Sequence, residues 1–235
     1  RRRRRLVRAW LRFHARSTLA MAHGIANVRI SVRGAIPPES CIVVMNHQSV
    51  LDIPIGLRLV PGPYPLIPTR DRYEWGVPGI SPLARLARYP FVSQKRVLSR
   101  SELASLTDAA EQVARGEQSL LIFPEGHRSR DGGLGRFMRS GLRIVLSRAE
   151  RPVYCVAVHG MVNARTFADG LANFANLDVR IAISDAMAPP AAGSDDSAID
   201  AFIDLLRDRM AAMLAELDAE PSTRSASAAD SFARR

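Results

Sequence analysis

Residues 41–52, CIVVMNHQSVLD, contain the pattern that decides the fold. Residues 41–45 form a short, wholly apolar run, which is typical of a strand buried on both faces of a sheet. A helix is predicted over about residues 50–59, and the Pro61-Gly62-Pro63 turn ends it. The polar residues between these two elements therefore lie just beyond the carboxyl end of a buried strand, as in an α/β fold.

Strands and helices continue to alternate along the rest of the chain. Further strands are predicted at residues 28–32, 119–123, 153–158 and 177–183, and further helices at about residues 99–116, 138–149 and 196–217. Ser99 followed by Glu102 is a capping-box pattern at the start of the first of these helices, and Gly116 ends it. We therefore predict an α/β fold with a mostly parallel sheet flanked by helices, with an N-terminal amphipathic helix and a C-terminal helix.

The composition fits one compact domain with appended segments. The chain has 235 residues, of which 47% are apolar, and both of its cysteines lie in apolar runs. Two buried thiols favour a reducing compartment over a disulfide framework. Apolar runs such as residues 41–45 and 120–123 are far shorter than the roughly 18 residues of a transmembrane helix, and no signal peptide is expected.

The positive charge is concentrated at the start of the chain. Residues 1–38 contain ten arginines and no acidic residue, so this segment alone accounts for the net charge of +10. An amphipathic helix is predicted over residues 6–22. Its two faces carry an apolar set, Leu6, Trp10, Phe13 and Met21, and a basic set, Arg8, Arg12 and Arg16. A helix that is basic on one side and carries aromatic residues on the other is typical of a membrane interface.

Two other interpretations of this helix stay open. Its apolar face can pack on the domain while the arginines stay in solvent, or the arginine run can bind nucleic acid. The sequence has no platform of interleaved aromatic residues and no known nucleic-acid module that would support the second interpretation.

Asn46, His47 and Asp52 make up the first candidate site. Ligands of a parallel α/β sheet bind beyond the carboxyl ends of the strands, and these residues follow the buried strand directly. A histidine is the usual general base near neutral pH, and a carboxylate on its other ring nitrogen fixes the tautomer and stabilises the imidazolium. The alternative is that Ser49 and Asp52 form a capping box that serves only the helix start.

A second group of polar residues follows the strand predicted at residues 119–123. Residues 123–132, FPEGHRSRDG, place a carboxylate and two guanidinium groups at the same sheet edge as His47. Guanidinium groups bind phosphate through paired hydrogen bonds, so this segment suits an anion. The alternative is a polar turn whose charged side chains pair in solvent. Residues 91–96, which end in two adjacent cations, are a third and weaker candidate.

The sequence contains no other common catalytic motif. It has no Gly-x-Ser-x-Gly segment of serine hydrolases, no Walker A or Gly-x-Gly-x-x-Gly loop, and no cysteine and histidine spacing typical of zinc. His14, His23 and His159 are scattered along the chain and indicate no ligand set.

Together, the two polar segments resemble the glycerolipid acyltransferase family, which includes the PlsC-like 1-acyl-sn-glycerol-3-phosphate acyltransferases. The family's Asn-His-x4-Asp motif corresponds to residues 46–52, and its Phe-Pro-Glu-Gly-Thr-Arg-Ser motif to residues 123–129, with His127 in place of threonine. Two further family motifs are matched less well, at residues 91–96 and 152–158.

The resemblance implies a role for each of these residues. His47 acts as the base on the free hydroxyl of a lysophospholipid, and Asp52 orients it. The residues expected to bind the acceptor's glycerol-phosphate are Glu125, Gly126, Arg128 and Arg96. The hydroxyl attacks the thioester of acyl-CoA or acyl-carrier protein directly, so no metal or redox cofactor is expected.

The expected function is therefore that of an O-acyltransferase of phospholipid biosynthesis, converting lysophosphatidic acid to phosphatidic acid. The alternatives are an acyltransferase that acts on another lysolipid, such as acylated ornithine, and a non-catalytic, basic lipid-binding module. The expected partners are an anionic membrane surface, the acyl donor and the lysophospholipid acceptor, with no nucleic acid. The expected location is the cytoplasmic face of a membrane, with peripheral attachment.

Four parts of the chain are predicted. Residues 1–27 are the basic amphipathic helix at the membrane surface, and residues 28–188 are the acyltransferase domain. Residues 189–219 are a linker with the C-terminal helix, and residues 220–235 are a disordered tail.

Overall fold

The structure, a computed structural model, describes residues 2–76, 80–93, 98–164 and 171–221. The strands are β1 (Arg29–Arg33), β2 (Ile42–Met45), β3 (Pro65–Leu66), β4 (Thr69–Arg70), β5 (Phe91–Val92), β6 (Ser119–Ile122), β7 (Val153–His159) and β8 (Asp178–Ile183). The α-helices are α1 (Arg2–Ala26), α2 (Asp52–Leu59), α3 (Ile80–Ala87), α4 (Arg100–Ala114), α5 (Arg139–Leu146) and α6 (Asp196–Ala219). The predicted alternation of strands and helices is confirmed.

The main sheet has the strand order β1-β8-β7-β2-β6-β3. Four of its five neighbouring pairs are parallel, and β7 and β8 run antiparallel. The prediction of a mostly parallel sheet flanked by helices is therefore confirmed. β2 and β6 are parallel neighbours, with Ile42 opposite Leu120, so the segments that follow them leave the sheet at the same edge.

Different helices cover the two faces of the sheet. In β2, Val43 and Met45 belong to a buried cluster that also includes side chains of α1 and α2. Ile42 and Val44 belong to a second cluster, with side chains of α4, α5 and α6. Successive side chains of a strand point to opposite faces, so a strand with two buried faces needs the continuous apolar run seen in β2.

Helix α1 is longer than predicted and contacts the domain with an unexpected face. The side chains that pack against the core lie at helical spacing on one stripe: Leu11, Ala15, Leu19, Ala22 and Ala26. The apolar face predicted from the sequence is instead exposed, at Leu6, Trp10, Phe13 and Met21. The interpretation in which that face packs on the domain is therefore wrong, because a neighbouring stripe fills the groove. No helix within the described ranges is long and apolar enough to cross a bilayer.

Arg12 differs from the solvated position expected for the arginines of this helix. Its guanidinium group donates to the carbonyl oxygens of Val60 over 2.7 Å, Gly62 over 2.9 Å and Leu57 over 3.3 Å. Carbonyl groups at the end of a helix lack intrahelical partners, so Arg12 satisfies the C-terminal end of α2. Burial lowers the pKa of Arg12. Instead of facing solvent, Arg12 fixes α1 on α2.

Residues 60–92 contain short elements without a sequence signal. β3, β4 and β5 have two residues each, which is too few for a periodic pattern. β3 extends the main sheet beside β6, and β4 pairs with β5 in a separate small sheet. These elements place Arg70 near the edge of the sheet at which β6 ends.

The ends of α4 agree with the sequence pattern. Ser99 Oγ accepts the N–H of Glu102, and the Glu102 carboxylate accepts the N–H of Ser99, so the predicted capping box is confirmed. Burial raises the pKa of Glu102, but hydrogen bonds from Ser93 and Ser99 outweigh it and lower this pKa to about 2. Gly116 follows the helix with a φ of 73°, a conformation that favours glycine.

The C-terminal helix α6 packs its apolar side chains on the sheet. Seven of them are buried: Ile199, Phe202, Ile203, Leu206, Met210, Met213 and Leu217. Glu220, the first residue of the predicted tail, accepts a hydrogen bond from Arg33 over 2.6 Å. The rest of that tail, from residue 222 onward, lies outside the described residues.

Both cysteines are buried free thiols, as the sequence predicts. Burial raises the pKa of Cys41 to about 11 and that of Cys155 to about 12. A thiol that stays protonated in an apolar interior is a poor nucleophile, so these cysteines are packing residues.

Candidate active site

Two turns at one edge of the sheet bring the predicted residues together. His47 follows β2, and Glu125, Gly126 and Arg128 follow β6, its parallel neighbour. The N–H of His47 donates to Glu125 Oε1 over 3.0 Å, and the N–H of Ser129 donates to the carbonyl oxygen of His47 over 2.6 Å. The two candidate segments therefore form one hydrogen-bonded unit.

His47 and Asp52 are joined by a direct hydrogen bond. His47 Nδ1 lies 2.7 Å from Asp52 Oδ2. The carboxylate is fully buried, while the histidine side chain is 18% exposed. Because an ionised carboxylate only accepts hydrogen bonds, Nδ1 carries the proton and Nε2 is left as the basic nitrogen. The pair therefore has the geometry of a general base and its orienting partner.

The same oxygen of Asp52 also organises the start of α2. Asp52 Oδ2 accepts the N–H of Gln48 over 2.6 Å and that of Ser49 over 2.7 Å. Asp52 Oδ1 is buried and has no hydrogen-bond partner among the residues that the structure describes. Ser49 Oγ accepts the N–H of Leu51 and not that of Asp52, so the reciprocal half of the predicted capping box is absent. Because Asp52 also binds His47, the interpretation in which it serves only the helix start is wrong.

Phe123 supports the imidazole ring of His47 from the side of β6. The two ring centroids lie 4.2 Å apart, with 25° between the ring planes. A stacked ring limits rotation of the imidazole, and its face favours the positive charge that forms when the imidazole takes up a proton. In the sequence, the signal for this role is an aromatic residue directly after the strand beside β2.

Glu125 is buried and holds two backbone segments together. It is 2% exposed, and its Oε1 and Oε2 accept the N–H groups of His47 and Gly135 over 3.0 and 2.8 Å. Burial raises the pKa of Glu125. A Cβ atom on Gly135 would lie only 2.8 Å from Glu125 Oε2, so the loop can approach this carboxylate closely only with glycine. A contact of Glu125 with an acceptor stays a prediction, because in this conformation the carboxylate binds backbone.

The cations of the site come from the loop after β6 and from β4 of the small second sheet. Arg128 is half-buried in the loop after β6, and this loop begins at Gly126 with a φ of 67°. Arg70 is half-buried at the end of β4, just after β3, the other neighbour of β6. Burial lowers the pKa of Arg70, and the charges of Arg72 and Arg128 lower it further. Two guanidinium groups whose charges act on each other suit an anion that both can bind.

The sequence-based site lacks Arg70 and includes Arg96, which lies outside the described residues. The available signal for Arg70 is a cation soon after the apolar pair of β3. A two-residue strand is too short to be recognised by periodicity, so its end cannot be located in the sequence.

Other polar residues of the turn after β2 bind the end of β7 and the segment that follows it. Asn46 makes two hydrogen bonds to the backbone of Val158, donating to its carbonyl oxygen over 2.9 Å and accepting its N–H over 2.7 Å. Ser49 Oγ donates to the carbonyl oxygen of Ala164. Both side chains are buried. The turn is therefore fixed from both sides, by the segments after β6 and after β7.

No group of three or more His, Cys, Asp or Glu side chains in the described ranges is arranged to hold a metal ion.

The sequence profile of the acyltransferase family matches residues 27–159 of this chain. Human 1-acyl-sn-glycerol-3-phosphate acyltransferase alpha is 29% identical over 129 residues, which are 54% of this chain and 44% of that protein. Chloroplastic 1-acyl-sn-glycerol-3-phosphate acyltransferase BAT2 of Brassica napus is 33% identical over 144 residues, which are 61% of this chain and 39% of that protein. The matches thus span less than half the length of each relative.

A solved structure shares the fold. The crystal structure of the 1-acyl-sn-glycerophosphate acyltransferase PlsC from Thermotoga maritima superposes with a TM-score of 0.66. The match covers 92% of this chain and 83% of that chain at 21% sequence identity, and at that identity the likeness concerns the fold alone.

Proposed function

The chain belongs to the acyltransferase family, and from this premise we propose that it moves a fatty acyl group from a thioester donor to the free hydroxyl of a lysophospholipid. The observation that carries the proposal is the hydrogen bond of 2.7 Å between His47 Nδ1 and Asp52 Oδ2, in a turn shared with the loop of Arg128. A base and an anion-binding loop at one sheet edge are what acyl transfer to a phosphate-bearing alcohol requires.

The proposed reaction is a direct transfer. His47 Nε2 takes the proton of the acceptor hydroxyl as its oxygen bonds to the thioester carbonyl carbon. The negative charge of Asp52 stabilises the imidazolium that forms. The carbon–sulfur bond then breaks, and the leaving thiolate takes the proton from Nε2. The products are an ester and a free thiol, and His47 returns to its starting state.

The proposed acceptor is lysophosphatidic acid, which gives phosphatidic acid. Arg128 and Arg70 would hold the phosphate, with Gly126 and Arg96 as further contacts. Glu125 would act by holding the His47 backbone and the loop in place. An acceptor with another head group, such as acylated ornithine, is the alternative within the same chemistry.

Acyl-CoA and acyl-carrier protein are both proposed as donors, since each presents an acyl thioester. A thioester is already activated toward an alcohol, so the proposal includes no metal and no redox cofactor.

A peripheral contact with the cytoplasmic face of a membrane is proposed for helix α1. Its exposed apolar side chains form one stripe: Leu6, Trp10, Phe13, Met21 and Ile25. Arg5 and Arg16 are exposed on the same helix, where they would meet anionic lipid head groups. A lysophospholipid acceptor lies in such a surface, so this contact would bring the site to its substrate. Nucleic acid is not proposed as a partner.

The proposal is tested by thiol release from palmitoyl-CoA in detergent, with and without lysophosphatidic acid. The wild-type chain should release thiol only when the acceptor is present. His47→Ala should lower the rate about a thousandfold or more, because it removes the base. Asp108→Ala, a truncation at an exposed position of α4, should leave the rate unchanged.

Each contrary result points to a different conclusion. Thiol release without acceptor would indicate a thioesterase. Release only with other lysolipids would keep the chemistry and change the acceptor. No release with any acceptor or with acyl-carrier protein, together with binding to vesicles, would favour the non-catalytic lipid-binding module.

A further inference from the structure

Gln48, the residue after the proposed base, has a buried side chain whose two polar ends are both occupied. The side chain is 1% exposed. Its Oε1 accepts the N–H of Met161 over 3.1 Å, and its Nε2 donates to the carbonyl oxygen of Gly132 over 3.2 Å. One amide therefore connects a residue after β7 with a residue after β6.

The chemistry of the primary amide matches these two partners. Met161 offers a donor and Gly132 an acceptor, so the site needs one acceptor and one donor at the two ends of a short polar group. A carboxylate would place an oxygen against the Gly132 carbonyl, and a thioether would leave both backbone groups without a partner. Glutamine satisfies both groups with a side chain that is itself shielded from water.

The loop that contains Gly132 also carries Arg128, one of the two cations described at the site. Ser129 Oγ accepts the N–H of Gly132 over 2.9 Å and donates to the carbonyl oxygen of Gly133 over 2.9 Å. Gly132 has a φ of 86°, and a Cβ atom there would lie 3.6 Å from Val162. Arg128 therefore lies in a tight turn, and Gln48 binds the far end of this turn at Gly132.

Three contacts join this loop to the turn of His47, and each fixes a different point. Glu125 binds the N–H of His47, the carbonyl oxygen of His47 binds Ser129, and Gln48 binds Gly132. The first two act at the start of the loop. The contact of Gln48 is the one of these three that reaches the end of the turn and extends to the segment after β7.

We propose that Gln48 is a positioning residue that fixes the cationic loop, residues 126–133, relative to the base. The expected change in kinetics rests on the proposed function. The expected shift of the loop rests on the hydrogen bonds alone. Without the amide, the loop can shift while the dyad of His47 and Asp52 stays intact. Binding of a phosphate-bearing acceptor should then weaken more than the chemical step, and the donor should be little affected.

The test compares Gln48→Met with Gln112→Met. The first variant keeps the length of the side chain and removes both polar ends, and the second makes the same change at an amide on α4 that donates to Asp108. Steady-state rates give KM and kcat for lysophosphatidic acid, for a phosphate-free monoacylglycerol and for palmitoyl-CoA. Amide hydrogen exchange is followed at Met161 and in residues 126–135.

For Gln48→Met, we expect the KM for lysophosphatidic acid to rise about tenfold, with changes below about threefold in kcat and in the donor KM. The KM for the phosphate-free acceptor should rise less, so the preference for the phosphate-bearing acceptor should fall. Exchange should speed up at Met161 and in the loop. Gln112→Met should match the wild type in every measurement. An unchanged acceptor KM, or an equal rise for acceptor and donor, would overturn the proposal.

Gln48→Asn and Gln48→Glu extend the test if the methionine variant does not fold. Asparagine keeps both polar ends but is too short to reach both partners, so the same selective rise in acceptor KM is expected. Glutamate can still accept from Met161, so exchange should stay slow there and increase only in the loop. If the wild type transfers no acyl group, the proposed function fails. In that case, amide hydrogen exchange alone tests the role of Gln48. Unchanged exchange rates in these variants would overturn the positioning role.

Discussion

The turn at residues 46–52 and helix α1 place their characteristic residues in opposite environments. In the turn, polar side chains are buried or, at His47, half-buried, and each has an internal partner. These partners are Val158 for Asn46, Asp52 for His47, Met161 and Gly132 for Gln48, and Ala164 for Ser49. In α1, large apolar side chains are exposed along one stripe, from Leu6 at 64% to Ile25 at 80%.

The physical costs in the two regions differ. A buried polar group without a partner costs about 1–3 kcal/mol, so a turn with several such groups is stable in one arrangement only. An exposed apolar side chain costs the fold far less, and a lipid surface can still bury it. Contacts within this chain therefore determine the conformation of the turn. The exposed apolar face of α1 is instead suited to contact another surface, such as a membrane.

Asp52→Asn should have the largest effect on activity. It removes the negative charge of the turn while its conformation is kept, so it tests the two contributions separately. The amide oxygen can still accept the N–H groups of Gln48 and Ser49, so the turn keeps its shape. The negative charge that stabilises the imidazolium is lost, so kcat for acyl transfer should fall about a thousandfold. Thiol release gives kcat, and denaturant unfolding shows whether the fold persists.

Asp108→Asn, at an exposed position of α4, is the control for Asp52→Asn and should retain full activity. If Asp52→Asn kept kcat within threefold of the wild type, Asp52 would serve only the helix start, and the turn would be a structural feature without a catalytic pair.

Much of the turn and its surroundings is predictable because its signals are local. β2, β6 and β7 are runs of buried apolar residues, and parallel neighbours end at the same edge. A histidine and an aspartate five positions apart then meet across the first turn of α2. The fold class and the position of His47 beside the loop of Arg128 follow from such short-range patterns. The spacing of His47 and Asp52 leaves two interpretations open, and the family resemblance favours the catalytic pair.

Other features depend on contacts between segments distant in the sequence. That Glu125 binds the backbone of His47 and Gly135 depends on where two loops meet, and Arg70 reaches the site through a two-residue strand. The neighbouring helix α2 also determines which stripe of α1 packs on the domain. Small residues such as Ala15 fit the groove against α2, whereas periodicity favours the stripe with the largest side chains.

Leu19→Ala should have the next largest effect, on stability, and it sharpens the contrast between the two stripes of α1. Leu19 is 1% exposed in the core cluster, so truncation leaves a cavity and should lower the free energy of unfolding by about 2–4 kcal/mol. Leu6→Ala, the same change on the exposed stripe, should alter it by less than about 0.5 kcal/mol. Urea unfolding measures both. Equal losses would mean that the outer stripe is buried within the chain and is not free to meet a lipid surface.

Phe13→Ser should change the fold least and the membrane contact most. Phe13 is 64% exposed, so the free energy of unfolding should move by less than about 0.5 kcal/mol. If its ring enters a lipid surface, affinity for vesicles of phosphatidylglycerol and phosphatidylcholine should fall about tenfold. Leu205→Ser is the matched control, because Leu205 is 53% exposed on α6, across the sheet from α1.

Sedimentation with these vesicles at low and high salt separates the apolar and charged parts of the contact. Salt should weaken binding of the wild type and of both variants, because the arginines of α1 remain in all three. Loss of affinity in Phe13→Ser but not in Leu205→Ser would assign the apolar contact to the exposed stripe of α1. The same affinity for both variants would leave charge as the sole attraction, and the exposed stripe would then need a protein partner to cover it.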